Sequence, residues 1–273
     1  MKHSFYIFLW AFIFPVVAMA QPEQNKARSE HFFVGIKGGL SIPTLQSGES
    51  SNDWNKDYAS RLGPYFGGLV ELPLSRHFSF QAELVYAAEG GKRNNIQPMA
   101  IPEEYLAIFQ KAFKTDQDYL FANLNSVSRI NYIQMPLMLK YHYPIAANGK
   151  LQVFAQAGLC PGYMVQSKQI VKSENLRVYF DGEGKAEIPE SLVHSSFGSS
   201  IDTVIDARND LHSWNIGIQG AIGFSYQIGC GKIFIEGGGN YGFVPVQKTD
   251  DHGKNNIGAG TVLLGYAMQL SKR

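Results

Sequence analysis

NYIQMPLMLKYHY, residues Asn131 to Tyr143, places Ile133, Met135, Leu137, Leu139, Tyr141 and Tyr143 at every second position, with Tyr132, Gln134, Pro136, Met138, Lys140 and His142 between them. A strand turns successive side chains to opposite faces, so one face of this segment is apolar and the other largely polar. A half-buried strand of a soluble sheet shows the same alternation. The fold turns on whether the apolar side packs on a protein core or faces lipid.

The same period marks eight segments, roughly 31–42, 64–74, 77–88, 129–143, 151–164, 213–228, 232–243 and 257–270. The connections between them alternate in length. Residues 43–63, 89–128, 165–212 and 244–256 form long gaps, whereas Ser75-Arg76, Tyr143 to Lys150 and Gly229-Cys230-Gly231 are short turns. Soluble sandwiches have no reason to obey that rule. A transmembrane barrel does, because its periplasmic turns are short and its outer loops long. Gly accounts for 28 of the 273 residues, above the usual ~7 %, and sits largely inside these segments, which disfavours a helical protein.

Parity assigns the faces. Phe66, Val70, Leu72 and Leu74 oppose Tyr65, Gly67 and Glu71, and Phe78, Phe80, Ala82, Leu84 and Tyr86 oppose His77, Ser79, Gln81 and Glu83. Trp214, Ile216, Ile218, Ile222, Phe224 and Tyr226 alternate with Asn215, Gly217, Gln219, Ser225 and Gln227; Val262, Leu264, Tyr266, Met268 and Leu270 alternate with Thr261, Gly265 and Gln269. Every segment has this polarity, and aromatics gather at segment ends (Trp214, Tyr226, Tyr241, Phe243, Tyr266), where a lipid-facing barrel carries its girdles. The expected fold is all-β: an eight-stranded antiparallel transmembrane β-barrel, an up-and-down meander with long external loops.

The first residues set the compartment. Lys2 and His3 precede an apolar run from Phe5 to Val17, and Ala18-Met19-Ala20 offers small residues where a signal peptidase cuts. The run is shorter than the ~20 residues a membrane helix needs, and no Cys follows it to carry a lipid. Cleavage is predicted before Gln21, giving a signal peptide over 1–20, a short lead over 21–30 and a barrel domain over 31–270. No later stretch holds the ~18 consecutive apolar residues of a membrane helix. A formal net charge of +1 gives no nucleic-acid or polybasic signal.

The polar face carries Lys37, Glu71, Glu83, Lys140 and Glu236. A barrel of this size has an interior about filled by side chains, and a lone buried charge is costly. These five are therefore expected to pair as structural packing, with no catalytic role. Gly35, Gly67 and Gly217, on inward positions, are expected to leave room for larger side chains. Pro136 lacks an N–H in a barrel that has no edge, which predicts a bulge or a lost ladder bond.

ELPLSRHFSFQAELVYAAEGG, residues 71–91, resembles the strand two to strand three hairpin of the outer membrane protein beta-barrel domain family, often labelled porin family: a short basic turn joining an E-x-P-L segment to Q-x-E-L-x-Y and glycine. NYIQMPLMLKYHY is similar to that family's fourth strand, FAQAGLCPGYMV to its fifth, and NIGIQGAIGFSYQIG with FIEGGGNYGFVPV to its sixth and seventh. The resemblance covers most of residues 31–270. It implies architecture and location, with outer-membrane lipid and the barrel-insertion machinery as partners, and little chemistry. Members usually end at or near an aromatic, whereas this chain runs Met268-Gln269-Leu270-Ser271-Lys272-Arg273.

Few residues carry candidate chemistry, and no cofactor is implied. In the expected topology Cys160 and Cys230 are separated by roughly 20 Å along the barrel axis, beyond the ~7 Å between Cα atoms that a disulfide tolerates, so two free thiols are predicted. The histidines form no tight metal spacing with Cys, Asp or Glu. Asp250-Asp251-His252 is the nearest approach to a cation site, while DGEG at Asp181 to Gly184 and DARND at Asp206 to Asp210 suggest turns short of calcium ligands. Pro102 to Asn125 breaks the strand pattern: Tyr105, Ile108, Phe109, Ala112 and Phe113 fall at helical spacing after a Pro-Glu-Glu start, predicting a helix within the second outer loop whose apolar stripe packs on neighbouring loops or rests on the outer leaflet.

The reading is a non-enzymatic outer-membrane protein with a structural, surface-binding or limited-permeability role and an external partner of unspecified chemistry. One alternative is a lipid-modifying enzyme on the same scaffold, for which Ser195 or Ser196 beside His194 are the adjacent candidates for nucleophile and base. The other is a small diffusion pore.

Overall fold

The alternation of apolar and polar side chains is realised in a single twelve-stranded sheet. The computed structural model describes residues 31–47, 53, 54, 56–249 and 253–271; the leader, Asp250-Asp251-His252 and Lys272-Arg273 lie outside them. The strands are β1 (His31–Ser47), β2 (Ala59–Ser60), β3 (Gly63–Pro73), β4 (Phe78–Ala100), β5 (Tyr119–Gln134), β6 (Leu137–Pro144), β7 (Leu151–Ser173), β8 (Val178–Tyr179), β9 (Ile201–Asp206), β10 (Trp214–Ile228), β11 (Gly231–Gly242) and β12 (Asn255–Ser271). Neighbours follow the order β10, β11, β12, β1, β3, β4, β6, β7, and β7 pairs back onto β10. The sheet thus closes on itself through the antiparallel pairing of β7 with β10.

The opening segment is split at its proline. Gln134 faces Val85 and Leu137 faces Ala82 on one side; Gln134 faces Gly162 and Leu137 faces Leu159 on the other. β5 and β6 are therefore one stave, interrupted at Met135-Pro136 without a slip of register. The Pro136 carbonyl still accepts from the Glu83 N–H at 3.0 Å, and the Met135 N–H donates to the carbonyl of Pro161, a second proline, at 2.8 Å. A ladder bond is lost at Pro136, as expected from a residue without an N–H. The bulge lies nearby instead, where Asn131 faces Gln166 and Tyr132 faces Met164, leaving Val165 unmatched.

Register also assembles the girdles. Phe66 faces Tyr86, Tyr86 faces Ile133, Ile133 faces Tyr163 and Tyr163 faces Trp214, with ring centroids 5.2 Å apart for Phe66–Tyr86 and 4.9 Å for Tyr163–Trp214. At the other end of the staves Phe78 meets Tyr141 at 5.2 Å and His77 stacks on Tyr143. Between these rows the outward side chains are apolar and bare: Ile222 is 70 % exposed and Leu264 64 %, while inward Glu71 and Gln81 are 1 % exposed. An apolar belt this continuous is foreign to a water-soluble surface. No described helix is long and apolar enough to cross a membrane.

Three staves run well past the upper girdle. β4 and β5 stay paired from Val85 and Gln134 to Ala100 and Tyr119, and β7 continues to Ser173 between β5 and β9. From Tyr86 to Ala100 the hairpin extends by roughly 46 Å at ~3.3 Å per residue. Sequence periodicity ended these strands near 88, 129 and 164. Beyond the girdle Lys92, Asn94, Asn125 and Arg129 are exposed, so the greasy alternation stops although the backbone ladder goes on.

Two helices cap this extension. α1 (Glu103–Phe113) starts after Pro102 with Glu103 and Glu104 in its first turn, where acidic side chains suit the helix dipole, and ends at Lys114 in the left-handed conformation. It is shorter than the stretch 102–125, whose residues from Tyr119 onward belong to β5. α2 (Glu190–Phe197) lies in the gap that sequence periodicity left without elements. Both helices cover an apolar cluster that includes Ile101, Leu120, Leu124, Leu176, Val178 and Val193, with Leu106 and Phe109 of α1 packed against it. Of the expected stripe, Phe109 packs inward, its ring centroid 5.9 Å from that of Phe180, whereas Tyr105, Ile108 and Phe113 stay exposed.

The inward glycines serve a different end from the one expected. A Cβ on Gly67 would strike the Leu84 carbonyl and stand 2.6 Å from the Val85 Cα, and one on Gly217 would strike the Tyr241 carbonyl. Their absent side chains admit the neighbouring stave's backbone. Gly67→Val is expected to destabilise the barrel by ~1–3 kcal/mol or more and to reduce the heat-modifiable folded band on unboiled gels. An unchanged urea midpoint would contradict this account.

Candidate functional site

The inward positions of several staves converge on one polar network. Lys37 on β1 lies 2.7 Å from Glu83 of β4 and 2.7 Å from Glu236 of β11. Gln156 of β7 donates to the second Glu236 oxygen at 3.0 Å, and Gln81 donates to Glu83 at 2.5 Å. The Gln81 side-chain oxygen Oε1 accepts from Lys140 of β6 at 3.1 Å. Lys140 and Lys232 then share Glu71 of β3, at 3.0 and 2.7 Å, and the Ser79 hydroxyl donates to Glu71 at 3.1 Å. The chain of contacts leaves β11 at Glu236 and returns to it at Lys232, having crossed the lumen.

Three ammonium groups face three carboxylates here, which is how a low-dielectric interior tolerates them. Phenyl rings complete the filling: the Lys140 Nζ sits 4.1 Å from the Phe154 ring centroid and the Lys232 Nζ 4.2 Å from that of Phe33. Lys37, Glu71, Glu83, Lys140 and Glu236 are all brought into this network. Lys232 was not singled out from sequence, because a lysine beside the Gly229–Gly231 turn reads as a turn residue. Its parity with Glu236 is the signal that would have placed it inside.

Glu89 was also missed, lying just past the end of the 77–88 segment. It is 1 % exposed, and its Oε1 accepts from two neutral amides, Gln134 at 2.8 Å and Asn240 at 3.1 Å. It borders a cavity of about 20 Å³ together with Tyr132, Cys160 and Asn215, enough for one water.

The remaining candidates take separate places. Cys160 is buried on β7 and Cys230 exposed in the β10–β11 turn, and both are free. Ser195 donates its hydroxyl to the Leu192 carbonyl at 2.9 Å, while His194 Nε2 lies 3.5 Å from Glu190, so the serine and histidine of α2 engage different partners. Ser196 borders a cleft of apolar side chains between α1 and α2. Asp181 accepts the N–H groups of Glu183, Lys185 and Ala186, a turn whose backbone bonds, Lys185 first, hold its carboxyl below the ordinary carboxylate range. Asp206 likewise accepts the Arg208 N–H at 3.0 Å, opening a 3₁₀ turn over Arg208–Asp210. Among the described residues no group of three or more His, Cys, Asp and Glu side chains could hold a metal ion.

Residues 19–247 match the model of a family described as outer membrane protein beta-barrel domain. No curated protein matches the chain. Among solved structures, the chain is similar to neisserial surface protein A (11 % identity, 87 % of this chain and 96 % of that one, TM-score 0.40). It is also similar to the outer membrane protein OprG from Pseudomonas aeruginosa (9 % identity, 89 % and 98 %, TM-score 0.42) and to the outer membrane protease OmpT from Escherichia coli (9 % identity, 91 % and 99 %, TM-score 0.32). At such scores these likenesses carry no argument about activity.

Because Lys37 is the shared partner of Glu83 and Glu236, Lys37→Met strands two buried carboxylates and is expected to cost about 3–5 kcal/mol. Adding Glu83→Gln and Glu236→Gln should restore most of that loss. Urea unfolding followed by gel mobility reads both; a single variant as stable as the parent would show that the network holds nothing together.

Proposed function

The chain belongs to the outer membrane protein beta-barrel domain family, whose place is the outer membrane, and from that premise we propose a non-catalytic barrel with a sealed lumen that holds an extracellular head for binding at the cell surface. In this reading the barrel is an eight-stave antiparallel meander of β1, β3, β4, the β5/β6 pair, β7, β10, β11 and β12. The observation that carries it is the head: α1, α2 and the strand extensions share an apolar cluster of their own, which gives the long connections a preformed shape. A loop serving only as a connector has no need of one. The ion-paired network across the lumen disfavours a diffusion pore, and the bonding of Ser195 to Leu192 with His194 beside Glu190 disfavours a Ser195–His194 pair as a lipid-modifying site.

The short turns, including the one bearing Cys230, are assigned to the periplasm together with both termini, and the head to the outside. Export by a cleaved leader over residues 1–20 and insertion by the barrel-assembly machinery belong to the same proposal. A membrane-impermeant maleimide should leave Cys230 unmodified in intact cells and label it once the outer membrane is permeabilised, with Cys160 reacting only after unfolding. Labelling of Cys230 on intact cells would invert the orientation.

Planar-bilayer recording tests the sealed lumen. The parent protein should show no sustained open state, whereas a Glu71→Ala, Lys140→Ala, Lys232→Ala triple variant should conduct. A large stable conductance in the parent would replace the display reading with the pore.

A further inference from the structure

Above the girdle the sheet carries a polar row that neither the barrel nor the core of the head uses. Asn94 faces Asn125, Asn125 faces Lys172 and Lys172 faces Asp202 across β4, β5, β7 and β9. Residues paired across antiparallel strands point to the same face, so these four side chains form one exposed line. They lie in a concavity of about 710 Å³ whose wall also includes Asn123 and Asn175, within the ~300–1,000 Å³ range of small-ligand sites. The wall is held in place: Asn123 donates to the Asn175 carbonyl at 2.8 Å and accepts the Arg177 N–H at 2.7 Å.

The chemistry of this basin selects its ligand. Lys172 is paired with Asp202 at 2.9 Å, and Glu174 is the other charged residue lining it. It therefore offers no spare cation for an anionic ligand, and its two carboxylates fall short of a cation cage. Besides the engaged Asn123, it offers the carboxamides of Asn94, Asn95, Asn125 and Asn175, each with a donor and an acceptor end, matched to groups that also donate and accept at once. Hydroxyl groups do so, and Ile96 and Ile201 in the lining of the basin supply apolar surface for the C–H face of a ring. We propose that this basin binds a neutral oligosaccharide. The inference rests on the surface-binding reading and names the ligand class of the head.

The test uses the full mature protein refolded without lipopolysaccharide, titrated calorimetrically with maltohexaose, mannohexaose, chitohexaose and, as the anionic counterpart, hexagalacturonate. At least one neutral hexasaccharide should bind, more tightly than hexagalacturonate, and Asn94→Ala/Asn125→Ala should weaken it about tenfold or more while keeping the heat-modifiable band. Lys185→Ala, elsewhere on the head, should leave binding unchanged. Displacement by purified lipopolysaccharide would mark the cell's own surface as the source of the sugar, and no displacement a foreign glycan. Failure of all three neutral sugars, preference for hexagalacturonate, or equal binding by the double variant would overturn the basin. A conducting lumen would instead overturn the sealed-display reading and leave the sugar titration readable.

Discussion

In hydrocarbon an unpaired backbone N–H or carbonyl has no water to turn to, and only a sheet without edges satisfies every strand. The pairing of β7 back onto β10 supplies that closure, and the other features follow from it. A closed sheet has one concave and one convex face, so a period of two sends alternate residues to lipid and to lumen. The lumen must be filled, and filling it with Lys, Glu and Gln obliges each charge to find a partner across the barrel. Closure also presses neighbouring staves together, which is why Gly67 and Gly217 carry no side chain. Even the two prolines at 136 and 161 fit this frame: they sit on adjacent staves, and Met135 still donates across to Pro161, so the gaps they leave fall in one place.

Past the girdle the constraint is lifted and a different one replaces it. There both sheet faces meet water or protein, and a long hairpin standing alone in solvent is marginal. The β4–β5 ladder persists because α1 and α2 cover its inner face with Leu106, Phe109 and Val193, while the outer face becomes a polar surface of Asn, Lys and Asp. The change from an ion-paired barrel interior to an apolar cluster under two helices thus falls where the apolar belt ends.

Much of the membrane-spanning part was legible. Leu84, Ile133, Leu139, Ile222 and Leu264 face outward as their parity required, because hydrocarbon contact demands an apolar residue at every second position. The head was not legible to the same degree. Its strands β8 and β9 are short, and the outward residues of β4, β5 and β7 there mix polar side chains such as Asn94 and Lys172 with apolar ones such as Ile96 and Ile170, so no single period marks them. Only α1 was visible, since Tyr105, Ile108 and Phe109 keep a helical spacing; α2, with Leu192 and Val193 as its main apolar residues, offers too few positions to register. Lys232 escaped because it lies at the start of β11, where a charge ordinarily points to solvent, and Glu89 because the apolar alternation fades near 88 although β4 runs on to Ala100.

Sequence by itself determined the inside-out polarity, the alternation of short and long connections and the family, since each is written in local order along the chain. Which carboxylate meets which ammonium, how far the staves rise beyond the lipid, and what the two helices cover were decided only by the tertiary structure. Those relations join residues far apart in the chain, Lys37 to Glu236 and Asn94 to Asp202 among them. They depend on the stagger between staves, which no single strand encodes.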